Sequence, residues 1–275
     1  MSEFLVTHEV LLRGSSFLLV FLLMGVIEWG LPRRQRQYPR RVRWPSNLAI
    51  VVLNSVALRL LFPLAAMGAS LQAEKAGWGL LNKLALSDWA SVILAFLTLD
   101  FAIYLQHRLF HRVPMLWKLH RMHHADPEID VSTGIRFHPI EIILSMAIKM
   151  LVVWLIGAPP MSVLLFEIVL NATSLFNHSN VRLPERVDAK LRWMLVTPDY
   201  HRVHHSRIRQ ETDSNFGFNL PWWDRLFGTY LPQPELGHLE MQIGVIGLSD
   251  KREELGLGHM LTQPFRQISS DRSPE

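Results

Sequence analysis

The 275-residue chain contains no cysteine. Disulfides, thiolate metal sites and a cysteine nucleophile are therefore excluded. There is no HExxH either, so the helical zinc-hydrolase pattern with its general-base glutamate is missing. No flavin, haem or ferredoxin signature is present, and any electrons the chain uses must come from a separate partner. Charge is sparse: 19% of residues are charged against 49% hydrophobic, and the net charge is +4. The basic residues cluster beside apolar segments, which speaks for a membrane and against nucleic acid as partner. A cleavable signal is not expected, because the first apolar run is too long for an h-region and lacks a small-residue cleavage site.

What the chain has in abundance is apolar sequence in blocks, at 15–31, 46–68, 86–106, 140–157 and 159–176. A bilayer core of about 30 Å takes roughly 20 such residues per helix. The expected fold is thus all-α, a multi-pass bundle of four or five hydrophobic helices under a helical cap, with Phe4–Val10 extending the first span. The turn Gly157–Pro160 makes the last two spans a tight hairpin. Lys149 and Glu167 inside it are either ion partners or residues facing a polar interior. Arg33, Arg34, Arg36, Arg40, Arg41 and Arg43 follow the first span, and the positive-inside rule puts that loop in the cytosol. Counting spans onward returns His107 and everything after residue 177 to the same side. Three segments result: N-terminal transmembrane helices and loops at 1–84, a histidine-rich domain at 85–232, and a polar C-terminal tail at 233–275 whose last residues, SSDRSPE, read as disordered.

The thirteen histidines are unevenly placed. His107 and His111 form HxxxH directly after the third span. His120, His123 and His124 form HxxHH, His178 follows the fifth span, and His201, His204 and His205 repeat HxxHH. Residues i, i+3 and i+4 share a helix face, so each box aims two or three nitrogens at a common point. Neutral imidazole suits iron, zinc, copper and nickel. Nine rings exceed one tetrahedral zinc site and suit two metals with open positions. Alone, an HxxxH at a membrane boundary reads equally as an interfacial anchor, and a lone HxxHH as a solvated basic face. Four groups on one membrane side favour metal. His8, His238 and His259 are isolated and read as solvated. His138, before Pro139, reads as a tenth ligand, a supporting donor or a helix-start residue, with direct ligation the least favoured.

The motifs HRLFH, HRMHH and HRVHH, in that order among hydrophobic spans, resemble the fatty acid hydroxylase / sterol desaturase superfamily. LWKLHRMHHAD, FNHSN, TPDYHRVHHS and NFGFNLPWWDRLFGTY extend the similarity over roughly residues 85–232. The resemblance implies a membrane-bound oxidoreductase holding two iron ions, with zinc able to occupy the same sites in purified protein. It implies hydroxylation or desaturation of lipid C–H bonds with O₂ and electrons from a ferredoxin or cytochrome b5 type donor and its reductase. The ligands it implies are His107, His111, His120, His123, His124, His178, His201, His204 and His205. Ser174 stands where many members carry another histidine, leaving either an open position or one filled by Asn171 or His138. Carboxylates that could orient the rings are Asp100, Asp126, Asp130, Glu141, Asp199 and Asp224, with Asp126 and Asp199 nearest in sequence; each reads equally as a helix cap. Trp222, Trp223, Phe227 and Tyr230 either line a lipid path or pin the cap on the bundle, with Asp224 paired to Arg225 and Gly228 in a turn; packing is favoured. A desaturase or ether-lipid monooxygenase is the alternative enzyme, and a metal-binding or metal-transporting membrane protein the alternative class. A transporter would want histidines within the spans, whereas these sit at span ends.

Overall fold

The structure, a computed structural model, describes residues 2–63 and 65–267. Among the described residues there is no β-strand, only isolated bridges between Pro32 and Val181 and between Ser206 and Ile243. The helices are α1 (Ser2–Gly30), α2 (Arg40–Leu61), α3 (Ala65–Lys75), α4 (Leu80–Lys83), α5 (Asp88–Arg112), α6 (Pro114–His124), α7 (Pro139–Ile156) and α8 (Pro160–Asn177). Six short ones follow: α9 (Glu185–Leu191), α10 (Pro198–His204), α11 (Arg209–Thr212), α12 (Trp222–Leu226), α13 (Gly237–Glu240) and α14 (Leu257–Thr262). Five helical stretches are long and apolar enough to cross a membrane, and their outer faces carry exposed apolar side chains such as Leu19, Val52, Leu60 and Trp89. That is the inverse of a water-soluble surface and fits a lipid solvent.

The sequence starts several helices in the same way. Pro114, Pro139, Pro160 and Pro198 each stand at the first helical position, where the missing N–H has no intrahelical partner to lose. Ser87 caps α5 and Thr197 caps α10 through their hydroxyls. Gly157, with φ 65°, closes α7 in the left-handed conformation that glycine tolerates. The hairpin it makes is crossed by the α3–α5 region. Ser70 Oγ donates to Ala158 O at 2.5 Å, and a Cβ on Gly79 would lie 2.2 Å from Gly157 N. Ala66, Ala69, Leu99, Val153 and Phe166 form the core of this end. Lys149 and Glu167 are partners at 2.8 Å, joined by Arg13 of α1 at 2.9 Å.

Two expectations change. The second span, read as 46–68, ends at Leu61, with Pro63 in the turn before α3; hydropathy continues through a proline, but a helical hydrogen-bond ladder does not. The polar segment after residue 232 packs back on the rest of the chain over its described part. Met260 packs on Ile50 and Met122, Arg121 donates to Gln263 O and Arg266 O, and Arg34 donates to His238 O and Met241 O. His238 is accordingly buried rather than solvated. The stretch 269–275, read as disordered, lies outside the described residues.

The cap is tied to α2 by buried charge. Arg43 makes a two-pronged contact with Asp126, both bonds 2.7 Å, and reaches Asp130 at 2.7 Å. Arg136 donates to Met122 O and Asn47 Oδ1. Glu28 of α1 accepts from the backbone N–H of Val131 and of Asn180.

Candidate metal centre

α5 runs unbroken past the span into Arg112, so His107 and His111 lie one turn apart on the same face. α6 carries His120, His123 and His124, α10 carries His201 and His204 with His205 as its cap, and His178 caps α8. All nine rings are buried. They form two groups whose nitrogens lie within 4.8 Å of one another: His107, His111, His120, His124 and His204 in one, and His123, His178, His201 and His205 in the other. The groups adjoin, with His124 stacked on His205 at 4.5 Å between ring centres.

Two rings of each HxxHH box converge in one group, within the expected two or three, and the third joins the other group. The first box gives its i and i+4 rings to the five-ring group and its i+3 ring to the four-ring group, and the second does the reverse. On a helix, i+3 and i+4 lean to opposite sides of i, and here the two groups sit on those two sides.

Backbone carbonyls and one carboxylate set which nitrogen faces inward. His107 Nδ1 donates to Phe216 O at 2.8 Å, His204 Nδ1 to Ser214 O at 2.7 Å, and His178 Nδ1 to Ser174 O at 2.7 Å. His120 Nδ1 donates to Glu141 Oε1 at 2.7 Å. Each acceptor places the proton on Nδ1 and leaves Nε2 as a bare lone pair. Yet His107 Nε2 and His120 Nε2 stand 3.1 Å apart, and His178 Nε2 lies 3.0 Å from His123 Nε2 and 3.1 Å from His201 Nε2. In the His107–His120 pair both Nδ1 protons are held outward, so two lone pairs face each other and repel unless a cation lies between them. Burial opposes using a proton: His178 and His204 are pushed down to about 3, while His123, His124, His201 and His205 fall well below the ordinary range through burial and neighbouring rings. Two nitrogens each about 2.0–2.1 Å from one ion stand roughly 3 Å apart at right angles, which matches these separations. Both nitrogens of His111, His124 and His205 and Nε2 of His204 are also buried without a hydrogen-bond partner. The donor set fits a metal in each group.

The other candidates are placed as follows. Of the proposed orienting carboxylates only Glu141 touches a ring. Asp126 is held by Arg43, and Asp199 by Arg33 and Arg202; neither bonds one of the nine converging imidazoles, because these arginines take their oxygens. Asp130 accepts from Arg43 and Ser132. Asp100 accepts from Trp223 Nε1 at 2.8 Å. Asn171 donates to Glu167 O in its own helix. His138 caps α7, accepting from Ile140 N at 3.2 Å, and faces Leu261 O with its other nitrogen. Ser174 leaves no gap to fill: its Oγ donates to Gly134 O at 2.8 Å, and a Cβ on Gly134 would stand 2.6 Å from Ser174 O. Backbone occupies the space a histidine there would need.

A supporting strap, Ser214–Gly217, was not legible in the side-chain pattern. Two of its carbonyls receive His204 and His107, and between them Asn215, at φ 51°, donates to Tyr200 O and Leu231 O. Asp224 holds the strap by accepting from Phe216 N, Gly217 N, Tyr200 and Thr229. It is not paired with Arg225, whose guanidinium lies over Trp193 at 3.9 Å. Trp223 and Phe227 pack on Phe101 of α5, which supports the packing reading of WWDRLFGTY, and Gly228 turns the chain at φ 67°. Asp213, also unforeseen, lies 3.5 Å from His111 Nδ1.

Comparison with known proteins agrees with this centre. The chain is 33% identical to the ornithine lipid hydroxylase OlsE of Rhizobium tropici over 174 residues, 63% of this chain and 50% of that one. It is 34% identical to alkylglycerol monooxygenase of Xenopus tropicalis over 154 residues, 52% of this chain and 31% of that one. With the Homo sapiens alkylglycerol monooxygenase it shares 33% over 147 residues, 51% and 31% respectively. The chain thus spans about a third to a half of the length of these relatives. No solved structure matches it. The fatty acid hydroxylase family profile matches residues 92–229, just over half of the chain and a stretch that includes all nine converging rings: the chain belongs to the fatty acid hydroxylase family.

Proposed function

We propose that this chain is an integral-membrane lipid hydroxylase whose two histidine groups each hold an iron ion. One observation carries the reading: nine buried imidazoles converge in two adjoining groups, and three Nε2–Nε2 pairs among them stand only 3.0–3.1 Å apart. Iron in such a setting supplies oxygen activation, one atom of O₂ entering an unactivated C–H bond and the other leaving as water, with electrons and protons consumed in pairs. The protein's part is positional. Phe216 O, Ser214 O, Ser174 O and Glu141 keep the Nδ1 protons outward and the lone pairs inward. The cap segments exclude water from the rings, and the spans present a bilayer lipid from below. Electrons come from a separate ferredoxin or cytochrome b5 type donor, and the histidine face is on the cytosolic side. The similarity to an ornithine lipid hydroxylase and to alkylglycerol monooxygenases supports a polar membrane lipid as substrate, an amino-acid lipid or a glyceryl ether.

The test is metal analysis together with O₂ consumption by the protein in lipid nanodiscs, with a reductant and lipid extract. His123→Ala and His204→Ala each remove one ring, from different groups, and are expected to abolish hydroxylated product while membrane insertion persists. Full turnover in both variants refutes the assignment. Bound metal without lipid-dependent O₂ uptake by the unaltered protein would favour a metal-binding protein instead.

A further inference from the structure

Where α1 gives way to α2, a cavity of about 420 Å³ opens, lined by Trp29, Arg36, Gln37, Pro39 and Arg40. This is the size of a small-ligand site. Its charge is unbalanced. Arg40 reaches Glu28 Oε2 at 2.9 Å, and Arg36 reaches the same oxygen at only 3.4 Å. One carboxylate thus serves two guanidiniums, and it already accepts from Val131 N and Asn180 N. Exposed Arg41 adds a third positive charge nearby. α2 begins at the cavity with no acidic residue in its first turn and no side-chain cap, so its dipole leaves further positive potential there.

The other side of the cavity is apolar. Trp29 is 80% exposed at the end of α1, and exposed Leu19, Leu22 and Val26 precede it on the same helical face. At about 1.5 Å per residue this stripe runs roughly 15 Å, half a bilayer core, and ends at the cationic wall. An exposed tryptophan at a span's end marks the membrane interface.

We propose that this cavity binds the phosphate headgroup of an anionic phospholipid, one acyl chain lying along Leu19, Leu22, Val26 and Trp29. The site is distinct from the histidine centre and does not depend on the reaction assigned there. Arginine provides the planar, two-pronged donor that a phosphate takes, and the aliphatic stripe selects a lipid over free phosphate.

The full chain, delipidated and then exposed to phosphatidylglycerol or phosphatidylcholine, is examined by native mass spectrometry. Phosphatidylglycerol is expected to be retained preferentially. Arg36→Gln should weaken that retention about fivefold, the worth of one interfacial arginine, with phosphatidylcholine unaffected. Arg36 makes only long contacts to protein, so this variant is expected to fold, and unchanged metal content confirms it. Trp29→Ala, at an exposed position, should weaken retention of phosphatidylglycerol without changing its response to salt. Unchanged preference in Arg36→Gln overturns the proposal. So does displacement of the lipid by inorganic phosphate at equal concentration, which would make this a free-phosphate site.

Discussion

Glu141 offers a way to weaken one histidine group while leaving the other alone. It touches His120 at 2.7 Å and no other ring, and His120 belongs to the five-ring group. A charge-assisted bond of this kind contributes about 1.5–3 kcal/mol, and outer partners of metal-bound histidines typically change affinity by about 10–100-fold. Glu141→Gln keeps an oxygen in reach of Nδ1 but removes the charge, so its effect should fall near the tenfold end. Glu141→Ala leaves the buried Nδ1–H without any acceptor and should fall near the hundredfold end. The assay is competitive metal titration of the purified protein against a chelator, resolved into two classes of site. Only one class should weaken, in the order wild type, Gln, Ala, and the class that weakens should be the one lost in His204→Ala and retained in His123→Ala. Equal weakening of both classes, or an unchanged titration in Glu141→Ala, would refute the two-group assignment and the role given to this carboxylate.

Arg43→Met leaves Asp126 and Asp130 as buried, unpaired carboxylates and should cost about 3–5 kcal/mol, read as a lowered thermal midpoint; adding Asp126→Asn and Asp130→Asn should recover part of it, and a neutral single variant would contradict the pairing. The metal-free protein should lose stability as pH falls below 6.5: His178 and His204 bind protons only near 3 when folded but near the ordinary 6.5 when unfolded, so protons favour the unfolded chain throughout that window. The slope is about 1.4 kcal/mol per pH unit for each such ring, measurable by denaturation at successive pH values, and a flat profile from neutral to mildly acid pH would contradict neutral burial.

Much of this molecule was legible before any coordinates. Apolar runs long enough for a bilayer identify spanning helices because lipid leaves a chain no other economical way to satisfy its backbone. The histidine boxes announce a metal centre because imidazole nitrogens at i, i+3 and i+4 share a helix face. The end of the second span was misjudged because hydropathy counts side chains, while Pro63 acts through its missing N–H. Asp126 and Asp199 were natural suspects by proximity in sequence, but Arg43, Arg33 and Arg202 hold them, and Glu141, seventeen positions beyond His124, supports His120 instead.

The sequence by itself thus determined the element types and pointed to the nine histidines that converge, since helix spans follow from local apolar runs and the boxes from their spacing. Only the tertiary structure decided which ring joins which group, because that depends on the rotation of α6 and α10 about their axes against α5 and α8. It alone chose the carbonyls of Ser174, Ser214 and Phe216 as acceptors. Every residue carries a carbonyl, and only the packed chain reveals which of them meets an imidazole.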